Sequence, residues 1–289
     1  SDVYKRQPVD IFTSVELAEE ILKMDLAPAK LDIGKLASEW LSEKANHASA
    51  AEFLGTKLAD FTSASAVPFE PRDVVLYGFG RIGRLAAREL IKQAGKGQQL
   101  RLRAVVTRRI SAEELEKRAA LLKNDSVHGS FDGTVLVDAE NSSLIINGQI
   151  VKFIAANNPE DIDYTQYGIN NALIIDNTGV FTNREALSRH LESNGSSRVL
   201  LTAPGKEIPN IVYGINQDTL DLESERIYSA ASCTTNAISP VLKVVNDNYG
   251  VVKGHIETVH AYTNDQNLLD NMHKKPRRGR SAAINMVIT

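Results

Sequence analysis

Apolar positions change their spacing along the chain, and each change marks a different kind of element. In VELAEEILKMDL, Val15, Leu17, Ile21, Leu22 and Leu26 recur near helical intervals, and a second helix through Trp40 is predicted to follow. Pro28 and Gly34 interrupt that pattern. Residues 56–71, TKLADFTSASAVPFEP, are rich in Ser, Ala and Pro and read as a linker. From Asp73 the period shortens. DVVLY, LRLRAVV, ALIIDNTG and RVLLTAPG are β-branched strands, while RLAARELIK, SAEELEKRAALL and NREALSRHLES read as helices between them. Ser111 and Glu114 form a capping-box pattern at one helix start. TVLVD, SLIING and VKFIAAN are short strands joined by hairpin-like turns. Alternating β and α elements predict an α/β fold, a parallel sheet covered by helices on both faces.

Composition narrows the class without naming a chemistry. A length of 289 residues exceeds what one core usually organises, so two domains are expected. The net charge of −3 gives no argument for a nucleic-acid or membrane partner, and no apolar run approaches the ~20 residues of a membrane helix. The start, SDVYKRQPVDIF, has no apolar signal core. A single cysteine cannot form an internal disulfide, which fits a reducing compartment and makes the cytoplasm the expected location. The chain lacks an initiator Met and stops within the apolar run INMVIT, so it reads as a piece truncated at its C-terminus.

Gly78, Gly80 and Gly83 spell G-F-G-R-I-G between a strand and a helix. In that context the glycines allow a tight turn, close approach of a pyrophosphate, and close packing of helix on strand. A lone motif of this kind also fits a structural turn. An NAD site places Asp or Glu at the end of the second strand to hold the ribose. Here Thr107, Arg108 and Arg109 stand there, which suits a 2′-phosphate better than a free hydroxyl. NAD and NADP both stay open, because arginines are also ordinary surface charges.

Cys233, the only cysteine, lies in ASCTTNAI, ahead of a segment expected to be helical. A helix N-terminus favours the thiolate, although a lone cysteine is more often a small buried hydrophobe. His260 lies at the end of the β-rich run HIETVH. His47, His128, His190, His255 and His273 show no partner pattern, no pair has metal-ligand spacing, and no metal site is expected. The basic cluster HKKPRRGR has no interleaved aromatics and reads as a loop rather than a nucleic-acid surface.

Together YGFGRIGR, ASCTTNAISP and TVHAYTNDQ, with DSVHG, TGVF and TAPGK in order between them, resemble the phosphorylating glyceraldehyde-3-phosphate dehydrogenase family. The resemblance covers 73–289. The helical pattern ahead of it is foreign to the family's common short form and reads as a helical extension and linker over 1–71. The resemblance implies a Rossmann-type NAD(P)-binding domain over 72–232. The first part of an α+β catalytic domain would follow over 233–289. It makes Cys233 the nucleophile and His260 its base. Ser232, Thr234 and Thr263 would hold phosphate groups. Gly78, Gly80, Arg81, Ile82, Gly83, Thr107 and Arg108 would line the adenosine and pyrophosphate of NAD or NADP, with Thr178, Gly179 and Thr202 near the ribose and nicotinamide. The implied partners are glyceraldehyde 3-phosphate, inorganic phosphate and further copies of the chain in a tetramer.

Tyr77, Thr107 and Asn157 depart from the residues common in the family, Asn, Asp and Arg in that order. The chain also stops before the family's phosphate loop and later substrate contacts, so a chain ending here is expected to be inactive. Erythrose-4-phosphate dehydrogenase, with water as acceptor, and a non-catalytic NAD(P)-binding interaction protein are the alternative readings.

Overall fold

A computed structural model describes residues 10–27, 31–62, 70–94 and 99–288. The chain divides after Ser232 into two compact units, the second being Cys233–Thr289.

The extension forms α1 (Ile11–Lys23), α2 (Ile33–Glu43) and α3 (Ala50–Lys57). Each start has a side-chain cap. The Asp10 carboxylate accepts from the backbone N–H groups of Phe12 and Thr13, Asp32 from Lys35, and Ser49 from Glu52. Leu17, Leu36, Trp40, Phe53, Leu54 and Leu58 close into a core that shares no residue with the sheet's clusters. The rings of Trp40 and Phe53 lie 5.3 Å apart. Gly34 does not break the pattern; it sits in the first turn of α2, because the Asp32 cap outweighs the roughly 1 kcal/mol propensity cost of one glycine. Of the proposed α1 stripe, Leu17 is buried, whereas Val15 and Leu22 face solvent. A three-helix cluster needs only one narrow stripe from each member. α3 also runs into the expected linker, as far as Lys57. Pro28 and residues 63–69 lie outside the described residues.

The body alternates as expected, with β1 (Arg72–Tyr77), α4 (Arg81–Lys92), β2 (Leu100–Thr107), α5 (Ala112–Lys123) and the short pair β3 (Asn124–Asp125) and β4 (Gly129–Ser130). β5 (Val135–Asp138), β6 (Ser143–Ile146), β7 (Gln149–Ala155), β8 (Ala172–Asp176), α6 (Arg184–Ser188), β9 (Ser196–Leu201) and β10 (Ile227–Ser229) complete it. Among the described residues an eight-stranded sheet has the order β10-β9-β8-β1-β2-β7-β6-β5. From β10 to β7 neighbours pair in parallel, and β6 and β5 extend the edge as antiparallel hairpin strands. The chain leaves β1 towards β2 and β7 on one side and then resumes at β8 on the other. The order of a doubly wound dinucleotide fold follows, with its switch point beside β1.

Period two in β1 explains the two-sided core. Val74 and Leu76 join one cluster with Leu90, Leu102 and Leu115, while Val75 and Tyr77 join the other with Ala104, Ile154 and Tyr164. NREALSRHLES is helical only in part: α6 ends at Ser188 and a 3₁₀ turn over Arg189–Glu192 carries His190 into the interior.

In the second unit α7 (Cys233–Tyr249) is followed by irregular chain with one 3₁₀ turn at Pro276–Gly279. The run before His260 does not form a strand. β-like composition specifies an extended chain, but a ladder needs a neighbour, and none pairs with it among the described residues.

Candidate active site

A cleft of about 400 Å³ opens at the carboxyl ends of β1, β2, β7 and β8, and its wall includes Gly78, Gly80, Thr107, Arg108 and Thr178. Its place at the switch point is where open α/β sheets bind ligands. Gly78 has φ 96°, a backbone that L side chains rarely adopt, and a Cβ there would stand 3.0 Å from Thr178 Cγ2. At Gly83 a Cβ would lie 2.4 Å from the carbonyl oxygen of Gly78, so the third glycine lets α4 sit against the turn. Gly80 faces open space and caps α4 without a side chain, leaving the first N–H groups of the helix uncapped. A bare cradle next to free helix N–H groups fits the pyrophosphate of a dinucleotide. Arg81, Ile82, Gly83, Gly179 and Thr202 lie outside the cleft wall.

Thr178 and Thr202 are nevertheless tied to one side chain and its backbone. Asp176 Oδ1 accepts from the Thr178 N–H (2.8 Å) and hydroxyl (2.7 Å), and the Asp176 carbonyl accepts from the Thr202 N–H (3.1 Å) and hydroxyl (3.0 Å). The other carboxylate oxygen meets His190 Nε2 at 2.9 Å, with both side chains fully buried. His190 therefore has a partner that its sequence neighbourhood does not announce. The D-N-T order could have disclosed Asp176, since Asp before Thr at this spacing makes an Asx turn.

On the β2 side, the Thr107 hydroxyl donates to the Arg109 carbonyl at 2.9 Å, and Thr107 is buried. Arg109 itself is not in the cleft wall; Arg118, from the middle of α5, is. Arg118 falls on the stripe of Leu115, Ala119 and Leu122, and a charge on a buried stripe was the available signal. Tyr77 and Asn157 also line the cleft, and burial pushes the Tyr77 phenol up to about 12.

In the second unit, Cys233 is the first residue of α7 and is exposed. Its Sγ lies 3.2 Å from His260 Nε2. His260 Nδ1 donates to the Ala261 carbonyl at 2.6 Å, which leaves Nε2 to take the thiol proton. The hydrogen bond to His260, reinforced by Thr234, holds the thiol below its usual range. The Ala261 carbonyl and then Cys233 raise the imidazole above its usual value. Both shifts favour a thiolate–imidazolium pair. Thr263 donates its hydroxyl to the Asp265 carboxylate, which also meets Arg278 at 3.1 Å. Arg280 pairs with Asp270 at 2.9 Å, so carboxylates partly neutralise the basic loop. Ser232 ends the first unit directly after Ala231, a non-glycine residue held at φ 60°. Such left-handed backbone costs about 1–2 kcal/mol. Among the described residues no three His, Cys, Asp or Glu side chains gather as a metal cluster. Among the described residues no helix is long and apolar enough to cross a membrane.

Residues 72–184 match the family model of the glyceraldehyde 3-phosphate dehydrogenase NAD binding domain, and residues 232–289 match that of the C-terminal domain. The chain belongs to the glyceraldehyde-3-phosphate dehydrogenase family. A glyceraldehyde-3-phosphate dehydrogenase-like protein of Pseudomonas aeruginosa (strain UCBPP-PA14) is 51% identical over 97% of this chain and 61% of its own length. Glyceraldehyde-3-phosphate dehydrogenase 2 of Trichormus variabilis is 41% identical over 75% of this chain and 61% of its own length. Glyceraldehyde-3-phosphate dehydrogenase of Thermotoga maritima is 41% identical over 75% and 62%. This member of the glyceraldehyde-3-phosphate dehydrogenase family thus spans about three fifths of the length of the curated relatives it matches. Its helical extension falls within the match to the Pseudomonas protein.

Proposed function

We propose that the whole protein is an NAD(P)-dependent dehydrogenase that converts glyceraldehyde 3-phosphate and inorganic phosphate to an acyl phosphate, or runs the reverse. The observation that carries this reading is the 3.2 Å contact between Cys233 Sγ and His260 Nε2 at the start of α7. The names of the relatives supply the substrate.

Cys233 Sγ, as thiolate, attacks the aldehyde carbon, and the carbonyl oxygen takes the proton held at His260 Nε2. The product is a thiohemiacetal on Cys233. His260, now neutral, removes the hydroxyl proton as the carbon gives up its hydride, leaving a thioester. The nicotinamide, when bound, supplies the hydride acceptor. A phosphate oxygen then attacks the thioester carbon, and Sγ leaves as thiolate with its His260 contact restored. The N–H groups opening α7 are positioned to stabilise the oxyanion of each addition. Thr234, bonded to the sulfur, orients it, and Ser232 and Thr263 are proposed as phosphate contacts. The coenzyme is held by Gly78, Gly80, Gly83 and the start of α4, with Thr178 and Thr202 oriented by Asp176 on the ribose and nicotinamide side. The family likeness and the single cysteine extend this reading to a cytoplasmic homotetramer with domains over 72–232 and from 233 onward.

The test is acyl-phosphate formation by the full-length protein with aldehyde, NAD or NADP, and phosphate. Cys233→Ser should abolish both turnover and thiol labelling. Retained turnover in that variant, or reduction of the coenzyme without any need for phosphate, would overturn the proposed reaction.

A further inference from the structure

The two arginines in the cleft differ from the arginines that carboxylates hold elsewhere in the first unit. Arg101 pairs with Asp73 at 2.7 Å, and Arg184 with Glu225 and Arg189 with Glu160 at 2.6 Å each. Arg108 and Arg118 form no ion pair among the described residues, and the cleft wall they share contains no Asp or Glu. They come from separate elements, Arg108 just beyond the end of β2 and Arg118 from the middle of α5. Two uncompensated guanidinium groups on one concave wall make a site for an anion.

The position says which anion. The N–H groups opening α4 account for the pyrophosphate, on the β1 side of the cleft. The end of β2 is where a doubly wound fold meets the ribose 2′ position. The cleft wall has no carboxylate to accept from a free 2′-hydroxyl, and the Thr107 hydroxyl, whose hydrogen goes to the Arg109 carbonyl, can meet the ribose only as a neutral acceptor. We infer that Arg108 and Arg118 together form a subsite for a 2′-phosphate, so that the cleft takes the phosphorylated dinucleotide in preference to the unphosphorylated one. The inference rests on reading the cleft as a dinucleotide site, and it adds Arg118 as a specificity-determining residue. Arg109, the sequence neighbour of Arg108, lies outside the cleft wall and has no part in the subsite.

The experiment titrates the full chain calorimetrically with NADP, NAD, 2′,5′-ADP, 5′-AMP and inorganic phosphate, for the native protein and for Arg118→Gln, Arg108→Gln and Arg118→Lys. The native protein should bind 2′,5′-ADP and NADP at least about tenfold more tightly than 5′-AMP and NAD, as expected for losing charge-assisted hydrogen bonds to a phosphate. Arg118→Gln should remove about tenfold from NADP and leave NAD within about twofold, with Arg118→Lys recovering part of the loss. Thermal melts report whether each variant is folded, and Arg108→Gln tests the same subsite from the other element. Equal losses for NADP and NAD would assign Arg118 to the pyrophosphate or adenine and overturn the inference, as would no loss for either. Inorganic phosphate binding alone, with the same loss on Arg118→Gln as 2′,5′-ADP, would assign the pair to the free anion and overturn it too. A folded native chain that binds neither dinucleotide would overturn the coenzyme reading itself.

Discussion

Cys233 and His260 form a pair whose two shifts point the same way, the thiol down and the imidazole up. A lowered thiol pKa means that thiolate is present at pH values where an ordinary cysteine is still protonated. Alkylation of Cys233 by iodoacetamide should therefore stay fast well below the ordinary thiol range, and slow only as the pH falls through the lowered value. Replacing His260 by Ala removes the largest cause of that shift and should move the midpoint of the alkylation profile upward. An unmoved midpoint would show that the helix start, not the imidazole, stabilises the sulfur. Both residues are legible in the sequence because their motif blocks are contiguous. Asp176 and Arg118 leave only weak local signals, an Asx-turn spacing and a charge on a buried stripe, and His190 leaves none, since its partner Asp176 lies 14 residues away.

The glycine turn between β1 and α4 separates two effects that one motif conceals. Gly80 has φ −74° and open space around its Cβ position, so Gly80→Ala should fold with stability within about 0.5 kcal/mol of the native chain. It should still weaken dinucleotide binding, because on the proposed reading the pyrophosphate approaches where the methyl would stand. Gly83→Ala sets a methyl 2.4 Å from a backbone oxygen and should destabilise by about 1–3 kcal/mol. Denaturant midpoints and coenzyme titrations of the two variants distinguish these outcomes. Loss of stability in Gly80→Ala, or none in Gly83→Ala, would contradict this division. The strands and helices of the body are readable from period two and period 3.6. The extended run before His260 is not, because β-composition does not say whether a pairing neighbour exists.

The helical extension has a core of its own, built around Trp40, the single tryptophan. Trp40→Ala should cost roughly 3–5 kcal/mol within that core. Since none of its members belongs to the sheet's clusters, limited proteolysis of the variant should cut within residues 10–62 while NADP and NAD affinities stay unchanged. A fall in coenzyme affinity would mean that the extension supports the cleft.

By itself the order of residues determined what local rules govern: helical and strand periods, the glycine turn, the Cys-Thr-Thr-Asn block and the histidine that follows. Those signals lie within a few positions of one another, and short-range sterics and hydrogen bonding suffice to express them. Only the tertiary structure decided which arginines share a cleft, that Asp176 tethers two threonines and a buried histidine, and which side of α1 is covered. Each of these depends on the distance between segments far apart in the chain, which pattern alone does not encode.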